Sequence, residues 1–155
     1  MTEIIAEPAR QEIVITRVFD APRELVYRAY TDPDLIRRWW GPRRYETVVD
    51  TLEVRPGGRW RFLNREADGT EHGFHGVIHD AVAPERIVMT FEYEGAPGHV
   101  ALDTAVLTDA GDGRTRVTAT SVFQSLEDRD AMVASGMEGG ARETYDRLEE
   151  LLKTL

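Results

Sequence analysis

The stretch from Val18 to Pro42, VFDAPRELVYRAYTDPDLIRRWWGP, limits the choice of fold more than any other part of the chain. It holds two proline-marked helix starts and a tryptophan pair. Pro22 is suited to the first helical position, and Leu25, Val26, Ala29 and Tyr30 follow at helical spacing. Asp32 is placed to cap a second helix that begins at Pro33. That helix must end near Trp39-Trp40-Gly41-Pro42, because a residue before proline avoids the right-handed helical region. Just upstream, Glu12 to Phe19 alternates as a strand, with Ile13, Ile15 and Val18 as candidate inward positions.

The strands that follow are punctuated by turns. Tyr45–Val54, Arg59–Arg65, His72–Val82, Ile87–Tyr93, His99–Thr108 and Thr115–Phe123 have strand character. Pro56-Gly57-Gly58, Ala67-Asp68-Gly69-Thr70, Ala83-Pro84-Glu85, Gly95-Ala96-Pro97-Gly98 and Asp109–Gly113 separate them. The last third is helical. Ser125 with Asp128 forms a short capping pattern, and Gly136 is expected in the left-handed conformation that closes a first helix. A main helix then runs from Met137 to Thr154. Val133, Met137, Ala141, Tyr145, Leu148 and Leu152 share its inner face. Glu138 with Arg142, Glu143 with Arg147 and Glu149 with Lys153 are expected as exposed i,i+4 ion pairs. Residues 1–10 are expected to be a loose arm, and residues 11–155 a single domain.

Composition excludes several classes of function. A net charge of −9 argues against nucleic-acid and anionic-membrane surfaces. No apolar run approaches the ~20 residues of a membrane span. Residues 1–11 lack the layout of a signal peptide. With no cysteine there is no disulfide, thiolate nucleophile or cysteine-held metal, and a cytoplasmic protein is the simplest expectation.

Four segments, in order, resemble one family: Val18–Pro42, Pro56-Gly57-Gly58-Arg59-Trp60-Arg61-Phe62, Pro84–Thr90 and Gly136–Leu148. They are similar to the Hsp90-ATPase-activator-like (AHSA1-type) SRPBCC branch of the START/Bet v 1-like superfamily, from about Ile13 to Leu155. The resemblance implies an α+β helix-grip fold: a curved antiparallel sheet around a long C-terminal helix, two short helices after the first strand, and a cavity between. It says little about the ligand. In the family the closing helix often carries Gly-Trp-x-x-x-Leu-Asp-Arg-Leu. Here Gly140-Ala141-Arg142-Glu143-Thr144-Tyr145-Asp146-Arg147-Leu148 stands in its place. Alanine replaces the tryptophan and Tyr145 the leucine, which should enlarge or reshape the cavity.

Reactive side chains give weak patterns. His75 and His79 are four apart, but on a strand that separates them by about 13 Å, too far for one zinc. His72 points the other way and His99 starts another strand, so no metal ligands are assigned. Glu92 and Asp103 lie on neighbouring strands, but their apolar neighbours place both on the outer, wet face. Ser121, Ser125 and Ser135 have no nucleophile-elbow context. Pro56-Gly57-Gly58-Arg59 is a turn rather than a phosphate loop. Arg37, Arg38, Arg43, Arg44, Arg59 and Arg61 make a local basic patch, with solvated arginine as the simpler reading and an anion dock as the sharper one.

The aromatic and methionine set is the most suggestive. Trp39, Trp40, Trp60, Phe62, Phe74, Met89, Phe91, Met132, Met137 and Tyr145, with Ala141, come from elements that a helix-grip fold brings together. Aromatics with flexible methionines suit an adaptable apolar pocket. Adjacent helical residues point about 100° apart, so one of Trp39 and Trp40 should anchor the core and the other border the cavity mouth. Trp39 is slightly favoured as anchor. The leading expectation is non-catalytic binding of a small apolar or amphipathic molecule, with no cofactor and no catalytic residue. The alternative is a cyclase- or hydrolase-like enzyme on the same fold, whose sign would be Glu92, His72 or Asp103 buried in the cavity. An Hsp90 partner is disfavoured, because the chain has no room for the extra N-terminal domain of full-length activators. A homodimer stays open.

Overall fold

Asp32 ends one helix and begins the next. Its backbone N–H donates to Arg28 O at the end of α1 (Arg23–Thr31). Its carboxylate accepts from the Asp34 N–H at 2.9 Å at the start of α2 (Pro33–Trp39). Pro22 lies one place earlier than expected, as the extended residue preceding α1. Trp40 closes α2 with its N–H on Ile36 O, and Gly41 then turns the chain at φ +84°, where a side chain would be strained.

The computed structural model describes residues 1–155. Before the helices come β1 (Glu3–Ile5) and β2 (Glu12–Phe19). After them come β3 (Glu46–Leu52), β4 (Arg59–Arg65), β5 (Glu71–Val82), β6 (Arg86–Tyr93), β7 (Val100–Gly111) and β8 (Arg114–Phe123). All eight form one curved antiparallel sheet in the order β1-β2-β8-β7-β6-β5-β4-β3. The chain ends in α3 (Leu126–Ala134) and α4 (Met137–Leu152). Ser125 Oγ accepts from the Asp128 N–H at 3.1 Å to cap α3, and Gly136 at φ +82° separates the two helices. This is the helix-grip fold.

Three expectations need correction. Residues 1–10 are not loose throughout. Glu3–Ile5 adds an edge strand to β2. Buried Thr2 accepts from Arg17 through Oγ1 and from Arg142 through its carbonyl, while Arg129 donates to Glu7 O. Backbone pairing and three arginines hold a segment whose own composition promised little. Second, Val133 is exposed, because α3 and α4 are separate helices and their faces do not continue into one another. Third, only Glu138–Arg142 forms among the i,i+4 pairs. Glu149 joins Asp146 in binding the buried Arg17, at 2.8 and 2.7 Å, which ties α4 to β2. Arg147 turns instead to the α2–β3 connection, donating to Gly41 O at 2.6 Å and Arg38 O at 3.1 Å.

Candidate functional site

β7 and β8 form the floor beneath α4, and the size of their inward side chains changes step by step. The register pairs Leu107 with Val117, then Ala105 with Ala119, Asp103 with Ser121, and Ala101 with Phe123. Leu107 and Val117 are fully buried and fill their level. The alanine pair and the Asp103–Ser121 pair do not fill theirs. α4 follows the same gradient, from Leu152 and Leu148 through Tyr145 to Ala141 and Met137. Where small residues meet on both sides, the layers cannot close. A half-enclosed cavity of about 390 Å³ remains, and 19 of its 28 lining residues are hydrophobic, so its walls are mostly apolar.

The opposite wall is aromatic. Trp60 is buried and its indole N–H donates to Thr90 O at 2.9 Å. That reach crosses Gly76, where a Cβ would collide with the Thr90 carbonyl and stand 2.6 Å from the indole nitrogen. Phe62 and Phe74 are paired across β4 and β5, and Phe91 stacks on Trp60 at 5.9 Å. Trp40 meets Phe62, Phe74 and Trp60 edge-on at 5.1, 5.3 and 6.5 Å, so it belongs to this wall. Trp39 lies deeper. Its indole N–H donates to Ala29 O at 2.9 Å, its ring packs on Tyr30, and only 3% of it is exposed. Both tryptophans touch the cavity.

One end of the cavity is polar. Asp103 faces inward, and its Oδ1 is buried without a protein hydrogen-bond partner. Burial pushes its carboxyl up to about 6, partly offset by the Ser121 hydroxyl across the ladder. Tyr145 is pushed up to about 12, chiefly by burial, with the Asp103 charge adding to the rise and Tyr30 opposing it. Tyr30 is raised well above the ordinary phenol value, again by burial first and then by Tyr145. Its hydroxyl also lacks a partner in hydrogen-bonding geometry. The arrangement offers a ligand one carboxyl, two phenols and a serine hydroxyl at the end of an apolar chamber.

The expected set comes together around this chamber: Trp39, Trp40, Trp60, Phe62, Phe74, Met89, Phe91, Met137, Ala141 and Tyr145 all line it. Met132 does not. It packs beside Ile13, Ala101 and Phe123. Ser121 and Tyr30 were not anticipated, and Asp103, named only as a sign of the enzyme alternative, is the one of its three candidates that lines the chamber. Asp103 was expected on the wet face because it alternates with apolar neighbours, yet its neighbour Leu102 pairs with Val122 and both are exposed on the outer surface. The parity of Ala101, Ala105 and Leu107 with Val117 and Phe123 was the signal that could have placed Asp103 inward.

Glu92 and Asp103 are not paired. Asp103 sits opposite Met89, and Glu92 lies opposite Val100, accepting from the Gly98 N–H. The histidines stay apart from the cavity: His72 bonds Glu66 and Tyr93, His75 bonds Glu94, and His99 bonds Asp128. No three His, Asp or Glu side chains converge with metal-holding geometry. The basic patch is dispersed among separate partners: Arg37 on Asp34, Arg43 on Glu150, Arg61 on Glu94, and Arg44 over the Tyr45 ring. No helix is long and apolar enough to cross a membrane.

The family model described as activator of Hsp90 ATPase homolog 1-like protein matches residues 20–153. The chain belongs to this family. Solved structures agree in fold. A Rhodobacter sphaeroides protein is 26% identical with a TM-score of 0.91, covering 100% of both chains. An Arthrobacter aurescens protein is 27% identical with a TM-score of 0.90, covering 99% of this chain and 92% of its own. CalU16 from Micromonospora echinospora, 23% identical with a TM-score of 0.65 over 98% of this chain and 83% of its own, shares the fold. No curated relative matches the chain by sequence. Ala141 borders the cavity.

Proposed function

We propose that the protein binds a small apolar or amphipathic molecule in the cavity between the sheet and α4, without converting it. The observation that carries this reading is the chamber of about 390 Å³ with its mainly hydrophobic lining. That volume lies within the usual span of small-molecule sites, about 300–1,000 Å³. Trp40, Met89 and Phe91 are only partly buried by protein, so their remaining surface gains from apolar contact. All three tryptophans of the chain line the chamber, so their emission is a direct reporter. Titration with a neutral apolar probe such as N-phenyl-1-naphthylamine should give saturable one-to-one binding with a shift in tryptophan emission. A folded protein that takes up no such probe would refute the reading.

A second reading has one specific observation in its favour. Asp103 is the buried acid that would mark an enzyme, and a carboxyl titrating near neutrality can exchange a proton with a bound molecule. The lining holds no histidine to activate Ser121, which favours binding over nucleophilic catalysis. A bound molecule recovered unchanged after long incubation supports the binder. Conversion that disappears in Asp103→Asn supports the enzyme.

A further inference from the structure

We propose that Asp103 is the counter-ion for a ligand that carries a protonated amine at one end of an apolar body. This deepens the binding reading above and rests on it. The carboxyl stands at the inward position of β7 between Ala101 and Ala105, so its strand neighbours leave it open to the chamber. Every protein group around it has been used or is neutral. Ser121 lies across the ladder on β8, Met89 across on β6, Tyr145 above on α4 and Tyr30 on α1. Arg17, the inward cation of β2, is committed to Asp146 and Glu149. Asp103 therefore has no cationic partner in the protein, and Oδ1 has no donor at all.

An ammonium group brings three donors and no acceptor. The polar end of the chamber presents matching oxygens: Asp103, Ser121 and the Tyr30 and Tyr145 phenols. Trp39 and Tyr30 add aromatic faces, which attract cations. Burial disfavours an isolated charge on Asp103, and a cation beside it removes that penalty. An alcohol would supply one donor without charge. A carboxylate or phosphate would meet Asp103 as a like charge, in a protein whose net charge of −9 already repels anions.

The test is a matched series of decylamine, decanol and decanoate, each below its aggregation limit, displacing N-phenyl-1-naphthylamine at neutral pH. In the unaltered protein the amine should bind about tenfold or more tightly than the alcohol, and decanoate most weakly. Asp103→Asn should bring the amine down to the alcohol's level, each affinity being read relative to that of the neutral probe on the same variant. Asp103→Ala repeats the test if the asparagine variant folds poorly. Equal binding of amine and alcohol in the unaltered protein overturns the inference. So does an amine preference that survives both substitutions, which would assign it to the overall charge of the protein. If neither the probe nor decanol binds, the cavity reading itself fails. If both bind without an amine preference, only the role of Asp103 fails.

Discussion

Leu148 and Ala141 lie on one face of α4, about two turns apart, and meet opposite kinds of packing. Around Leu148 the layers are closed: Phe19, Val26, Leu107 and Val117 are fully buried with it. Around Ala141 they stay apart, and Trp40, Phe74, Met89 and Phe91 remain half-buried. Helix and strands continue unbroken through both regions. The difference lies in side-chain volume. Leucine over a Leu–Val pair fills the space, whereas alanine over Ala–Ala and Asp–Ser pairs leaves it empty. The cavity is thus encoded at a handful of positions, and the closed half supplies the stability that lets the other half stay open.

The largest effect expected from this comparison separates the two tryptophans. Trp39 joins the closed half through Ala29 and Tyr30, so Trp39→Ala should cost about 3–5 kcal/mol in chemical denaturation. Trp40 has one flank on three rings and the other on the cavity. Trp40→Ala should cost about 1–2 kcal/mol and change probe affinity more than stability. The ring contacts raise that cost above what a free-standing residue at a cavity mouth would show. Equal losses from the two substitutions would erase the distinction between the halves.

Asp103 comes next, and its sign differs from that of an ordinary carboxylate. Its folded pKa of about 6 lies above the ordinary carboxyl value of 3.8, so the folded protein holds the extra proton between those two values. The stability linked to this group is present below that window and is lost as pH rises through it. A shift of about two units corresponds to about 3 kcal/mol, which is an upper figure. Asp103→Asn should flatten the profile across the window and add about 1–3 kcal/mol at neutral pH. Glu94, on the outer face, runs the other way. Hydrogen bonding by Arg61, helped by His75, lowers it to about 2, so its contribution is present above 4.5 and is lost as pH falls toward 2. An Asp103→Asn profile that overlays the unaltered one would show that Asp103 is not held in an apolar setting.

The elements were legible because their boundaries rest on local chemistry. Asp32, Gly41-Pro42, Ser125 and Gly136 mark helix ends through caps and left-handed turns, and these act within a few residues. The aromatic wall was legible because large rings have few places to go in this fold. The polar end was not. Whether Asp103 points inward depends on strand parity, and β7 carries Leu102 and Val106 on one side against Ala101, Ala105 and Leu107 on the other. Local alternation cannot choose between two partly apolar faces. The choice is made by β8, which adds Val117 and Phe123 to the inner side. The contacts of Arg17 with Asp146, Arg129 with Glu7 and Arg142 with Thr2 were hidden for the same reason, since each spans more than 100 residues. Met132 shows the converse: its residue type suited the cavity, but α3 sets it against another cluster.

The smallest effect sharpens the comparison most, because it asks two alanines, one buried and one half-buried, the same question. Ala29 is fully enclosed in the closed half, and its carbonyl accepts the Trp39 indole N–H. Ala29→Leu must push into filled space and should cost about 1–3 kcal/mol. Ala141 borders the cavity, so a larger side chain there has free volume to enter. Ala141→Trp should therefore change stability by less than about 1 kcal/mol, despite adding far more volume than leucine adds at Ala29. The indole would occupy the space a ligand needs, so uptake of N-phenyl-1-naphthylamine should be lost. Each departure has a distinct meaning. A stable Ala141→Trp protein that still binds the probe would mean that the new ring points away from the chamber. A loss as large as that of Ala29→Leu would mean that both halves are packed alike, and the difference between Leu148 and Ala141 would reduce to side-chain identity without free volume.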